Sequence, residues 1–129
     1  MPVTYTIDRE ASLVRMTCSG VLTNEELVAG VERLHSDPAR LPGMSSLVDC
    51  RSIDKLLVTP PGLQAAAALE SVLVDPRQEA WAVAIVAPDD EVFWAARTYE
   101  VLRAGSPEKV RVFKDPLEAE GWLQRQAVS

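Results

Sequence analysis

Trp81-Ala82-Val83-Ala84-Ile85-Val86-Ala87, followed at once by Pro88-Asp89-Asp90-Glu91, is the stretch on which the fold turns. The first seven residues are apolar without alternation and are bounded by turn formers. A strand of that kind has both faces covered, as near the centre of a parallel sheet. The carboxylates that follow sit where a helix start favours negative charge. A helix is predicted from there to about Ala104, closed by Gly105-Ser106-Pro107. Strand then helix is half of a crossover unit, and the same alternation repeats outward in both directions.

Downstream, Val110 to Phe113 reads as a last strand, and Asp115-Pro116-Leu117 opens a final helix ending near Gln126. Upstream, Pro60 and Pro61 suit a helix start, where a missing N–H costs nothing. The alanine-rich run Gly62 to Leu73 follows, with Asp75-Pro76 as its stop. Ser46 to Arg51 is a short strand with Leu47 and Val48 both apolar. Nearer the N-terminus, Val3, Tyr5 and Ile7 alternate with polar residues, and a second alternating run spans Leu13 to Ser19, so the two form a hairpin. Thr23 and Glu26 make a capping box, and Leu27, Val31 and Leu34 recur at helical spacing up to His35 before Asp37-Pro38 ends the run.

The element order is therefore β-β-α-β-α-β-α-β-α in one domain spanning residues 1–129. Right-handed crossovers give an α/β fold with a mixed, mainly parallel five-stranded sheet, its first strand antiparallel and its helices largely on one face. The other face is then thinly covered. Trp81, Val83 and Ile85 are expected to need a partner molecule to hide them, which points to a dimer.

Composition narrows the function classes. The 129 residues are 47% hydrophobic and 25% charged, ordinary globular usage, and a net charge of -6 disfavours nucleic acid or an anionic membrane as main partner. No apolar run approaches the ~20 residues that span a bilayer, and the first 15 residues have no signal-peptide core, so a cytoplasmic protein without a membrane span is expected. Cys18 and Cys50 lie in strand patterns without C-x-x-C spacing and read as free buried thiols. No dinucleotide, Walker, zinc-protease or C-x-x-C signature occurs, and His35, the single histidine, has no nucleophile in a recognisable setting. No cofactor, no metal and no enzymatic reaction are expected.

The element order, the hairpin, the strand Leu47-Val48-Asp49-Cys50-Arg51 and the run Val86-Ala87-Pro88-Asp89-Asp90, with Phe93, Ala96, Arg97, Tyr99 and Glu100 beyond it, resemble the STAS-like domain family, specifically its SpoIIAA-like group within the STAS/CRAL-TRIO-like fold. The resemblance implies a regulatory or interaction module, or a binder of nucleotides or lipids. In anti-sigma antagonists of that family an Asp-Ser-Ser-Gly-Leu type motif carries the phosphorylated serine. The matching stretch here is Thr59-Pro60-Pro61-Gly62-Leu63, and proline cannot accept phosphate, which leaves Thr59 as the remaining hydroxyl candidate.

Two surfaces are singled out. Ligands in open α/β sheets sit beyond the carboxyl ends of the parallel strands. That rim gathers the ligand-binding candidates Asp49, Arg51, Asp54, Thr59, Asp89 and Asp90, although Asp89 or Asp90 also suit helix capping and Asp49 with Arg51 a local ion pair. The helix from Asp90 spreads Val92, Phe93, Trp94, Ala96 and Tyr99 over more than one face, so one large ring reaches the surface, where Arg97 is placed to stack on it. Phe93, Trp94 and Arg97 are the interface candidates. The leading reading is a non-catalytic module that binds a protein partner or its own copy. The alternative is a lipid or nucleotide binder that uses the rim or an apolar pocket beneath the alanine-rich helix.

Overall fold

A computed structural model describes residues 2–74 and 81–127. Five strands, β1 (Val3–Asp8), β2 (Leu13–Leu22), β3 (Ser45–Leu56), β4 (Trp81–Val86) and β5 (Glu108–Phe113), alternate after the first pair with helices α1 (Asn24–Ser36), α2 (Pro60–Leu73), α3 (Asp90–Leu102) and α4 (Pro116–Ala127). The strands lie in chain order, with β1 antiparallel to β2 and the others parallel.

Local chemistry explains the boundaries. The β1–β2 turn closes with the Ala11 amide donating to Asp8 Oδ1, and with Ser12 in the left-handed region at φ 52°. The Thr23 hydroxyl accepts from the Glu26 amide at 3.2 Å, which satisfies one of the free donors at the start of α1. Thr59 does the same for the Gly62 amide in α2, and Asp89 for the Glu91 and Val92 amides in α3. Asp75-Pro76, expected as the stop of α2, lies outside the described residues.

Side chains alternate across a strand, so the apolar β4 serves two cores at once. Ala82, Ala84 and Val86 face α4 and pack with Leu47, Phe113, Ala119, Trp122 and Leu123. Trp81, Val83 and Ile85 face the other way and pack with Val92, Ala96 and Val112 beneath α3. The helices are thus largely on one face, with α4 as the single cover of the other. This corrects the expectation that Trp81, Val83 and Ile85 lack a cover. They point toward the helical layer and are less than 10% exposed, because the lone C-terminal helix takes the opposite face.

β3 runs to Leu56, five residues past its predicted end. Its extension pairs with the end of β2 across two register shifts, one of them beside Gly20, whose φ is 65°. The first shift brings Ile53 onto the helical side with Val48 and Cys50, among the apolar residues that meet Cys18 and Leu22.

A candidate ligand cavity with a buried polar end

Between the sheet and helices α1, α2 and α3 lies a cavity of about 130 Å³. Its walls are built mainly by inward-facing strand residues such as Met16, Val48 and Ile85 and by helix residues such as Leu27, Leu63 and Ala96. Small side chains of α3, Ala95 and Ala96, line the space, and Ala96 is buried where a larger residue would fill it.

One end is polar. His35 from the last turn of α1, Arg40 from the loop after it, Ser46 of β3, Glu70 of α2, Tyr99 of α3 and Glu108 of β5 all line the cavity. Because each helix returns antiparallel to its strands, helix C-terminal ends meet the strand N-terminal ends here. Trp81 and Glu108, the first residues of β4 and β5, are register partners.

Charge is concentrated in this end. His35 Nε2 lies 3.3 Å from Glu70 Oε1. Arg103, only 2% exposed, sits behind the carboxylates with its Nε 3.5 Å from Glu70 Oε2 and 3.6 Å from Glu108 Oε1. Its Nη1 donates to Ser71 Oγ at 2.7 Å and to the Ala67 carbonyl at 3.3 Å. The Arg40 guanidinium lies over the Trp81 ring, 5.8 Å from its centroid.

Burial and mutual repulsion split the two carboxyl groups. Burial first, and then the Glu70 charge, pushes the Glu108 carboxyl up to about 8. Burial also pulls Glu70 upward, but bonds from His35 and Tyr99 outweigh it and hold that carboxyl below its ordinary value. The pair therefore holds one proton near neutrality, opposite two guanidinium groups. Burial, with the charges of Glu70 and Glu108, raises the Tyr99 hydroxyl well above its usual range, and burial lowers Arg40. Among the described residues, Arg40 Nε, Glu70 Oε2, and Arg103 Nε and Nη2 are buried without a hydrogen bond of good geometry. The close approach of Glu70 Oε2 to Arg103 Nε is thus a charge pair without hydrogen-bond geometry. Cys18 and Cys50 also line the cavity as free thiols hydrogen-bonded to each other.

The residues selected from the carboxyl-end rim lie elsewhere. Asp49 and Arg51 form a close pair, with Arg51 Nη2 donating to Asp49 Oδ2 at 2.8 Å, and the guanidinium holds the Asp49 carboxyl below its usual range. They alternate with Leu47 on the α4 side of the sheet, where Glu120 adds to the field on Arg51. Asp54 is exposed. Thr59 caps α2 and accepts from Asn24 Nδ2 at 2.9 Å. Asp89 caps α3, and Asp90 pairs with Lys114 at 2.8 Å, which lowers its carboxyl. Among the described residues no hydrogen bond joins the Asp49–Arg51 pair to the Asp90–Lys114 pair, and the sheet separates them. On α3, Phe93 is half-buried and meets Trp94 edge to face at 5.7 Å, while Trp94 is 66% exposed. Arg97 donates to Glu100 Oε2 at 2.7 Å, and the cation over the Phe93 ring is Lys114.

Sequence reasoning passed over the polar end of the cavity. Its signals are a glutamate late in an alanine-rich helix, a glutamate opening a strand and the lone histidine, each ordinary by itself. No group of His, Cys, Asp and Glu among the described residues is arranged to hold a metal ion, and no described helix is long and apolar enough to cross a membrane.

Comparison with known proteins bears on the fold. No family model and no curated protein matches the chain. Among solved structures, it is similar to an uncharacterised protein of the DUF3478 family with a SpoIIAA-like fold from Shewanella loihica PV-4. The two share 20% identity over 94% of this chain and 91% of that one, with a TM-score of 0.56.

Proposed function

On a SpoIIAA-like fold with an apolar cavity sealed at one end by charged groups, we propose that the protein binds a small, mainly apolar molecule between its sheet and helices α1–α3, as a carrier or sensor and not as an enzyme. The observation that carries this reading is the cavity itself. Protein interiors pack densely, and a void of about 130 Å³ forfeits the contacts that would otherwise stabilise the core. In another protein a dry apolar cavity of about 150 Å³ takes up benzene. An apolar body of ring size with one polar group is the shape that matches the lining.

Filling the space tests it. Ala96→Leu puts a branched side chain into the cavity from a helix position that favours leucine. In a thermal-shift screen of small ring and short-chain compounds, the unmodified protein gains several degrees with at least one class. The variant keeps its fold by circular dichroism and gains nothing. Equal shifts in both proteins would sink the reading.

A regulatory role through contact with another protein, or with a second copy, is favoured by a different observation. Trp94 and Val101 lie seven residues apart on one stripe of α3 and are 66% and 67% exposed. The two readings are compatible, since α3 roofs the cavity with one face and presents Trp94 on the other.

A further inference from the structure

The chain has two cysteines, and the fold sets them side by side. Thr17 of β2 pairs with Asp49 of the parallel strand β3, and Ser19 with Ser52, so Cys18 lies within the register shift, opposite Cys50 and Arg51. Both thiols belong to the apolar group on the helical side of the sheet, with Met16, Val48 and Ile53, and they hydrogen-bond to each other. Neighbouring strands run about 4.8 Å apart, inside the span of about 4.4–6.8 Å between Cα atoms that a disulfide bridges. The pair is thus placed for a bond that its reduced state leaves unmade.

Access and acidity favour that bond. Cys50 is partly exposed, and both cysteines line the cavity, whose volume of about 130 Å³ is ample for a molecule little larger than water. The hydrogen bond from Cys50 lowers the Cys18 thiol and outweighs its burial, while the same bond and burial raise Cys50 well above its usual range. One sulfur therefore gives up its proton more readily, and the other waits beside it, which is the arrangement of an oxidisable cysteine and its resolving neighbour. We infer that Cys18 and Cys50 form a reversible disulfide on contact with hydrogen peroxide, a modification site in the cavity wall that ties β2 to β3. The S–S bond forms as both S–H bonds and the peroxide O–O bond break. The two thiols lose two electrons in all, and the reduced peroxide leaves as two waters carrying their protons. A dithiol reverses the step by exchange. The site needs room only for the oxidant, so it stands independently of any ligand in the cavity. The bridge joins residue 18 to residue 50 across the whole of α1, so it removes freedom from the unfolded chain and raises the melting temperature.

The test treats the folded full chain with hydrogen peroxide, quenches it, and alkylates with iodoacetamide in urea before intact-mass measurement. With two cysteines in the chain, a bridge within one molecule is necessarily this one. The expected product is lighter by two hydrogens, takes up no alkyl group, remains a single chain on a non-reducing gel, and melts at least about 5 °C above the reduced protein. Dithiothreitol restores both thiols and the original midpoint. Cys18→Ala gains neither the bridge nor the shift, and Cys50→Ala serves equally should the first variant fold poorly. Two alkyl groups taken up after treatment, oxygen added to a sulfur without a bridge, cross-links only between chains, or a bridge that lowers the midpoint each overturns the inference.

Discussion

Glu108 is a buried carboxyl pushed up to about 8, and the consequence for stability has a definite sign. In the unfolded chain its carboxyl titrates near 4.5, whereas in the fold it titrates near 8. Between those values the folded state holds a proton that the unfolded state has released. Its contribution to stability is therefore complete below about pH 4.5 and is lost as pH rises through 8. Unfolding in urea at pH 6 and pH 9 should show a loss on the order of 2 kcal/mol attributable to this group. Glu108→Gln mimics the protonated carboxyl and should flatten that part of the profile. Parallel profiles for the two proteins would mean that Glu108 is not the proton holder. None of this is visible around position 108, where Pro107-Glu108-Lys109 reads as a polar lead-in to a strand. The groups that act on Glu108 there, Arg103 and Glu70, come from other elements.

At the scale of elements, α1 and α2 are joined at their N-terminal ends by a reciprocal contact. Asn24 Nδ2 donates to Thr59 Oγ1, and the Thr59 amide donates to Asn24 Oδ1 at 3.0 Å. Gly62 lies directly under this junction, and a Cβ there would run into the Asn24 side-chain amide. Glycine to alanine within a helix ordinarily stabilises, by about 1 kcal/mol. Gly62→Ala should reverse the sign and destabilise by about 1–2 kcal/mol in urea unfolding, because Asn24 must move and give up its bonds to Thr59. A more stable variant would disprove the junction. The elements themselves were largely legible. Pro60-Pro61 after Thr59 announces α2, and Thr23 with Glu26 announces α1, since caps act within four residues of chain. The far half of β3 was hidden because Ser52, Asp54 and Lys55 break the apolar pattern, and what makes them strand is pairing with the end of β2. The candidate site was less legible still. Its polar end draws on three helices, a loop and two strands, each giving one residue with an ordinary local explanation, and it lies at the strand ends opposite those where open α/β sheets usually bind.

For the whole molecule, the separation of the two cores decides where contacts with other molecules can form. Both faces of the sheet are covered, so a second copy is not required to hide β4. The outer stripe of α3 then offers the exposed aromatic ring, Trp94, beside Val101. If Trp94 and Val101 meet another copy, light scattering of the purified protein gives a dimer mass, and Trp94→Ala shifts it to the monomer without changing its unfolding midpoint. A monomeric parent protein, or a variant of unchanged mass, ends the self-association reading. That outcome leaves the cavity argument untouched, because Ala96 and Trp94 lie on different sides of the same helix.

One sheet face depends on a single late segment. The 12 residues of α4 are translated after every strand, and until they arrive Ala82, Ala84, Val86 and Phe113 have no lid. A chain whose strands have paired before α4 docks therefore carries a finished ladder with a bare greasy underside. Its closure waits on Trp122 and Leu123, which makes α4 the clasp of this face and places the hazard of sticking to neighbours in the interval before that helix docks.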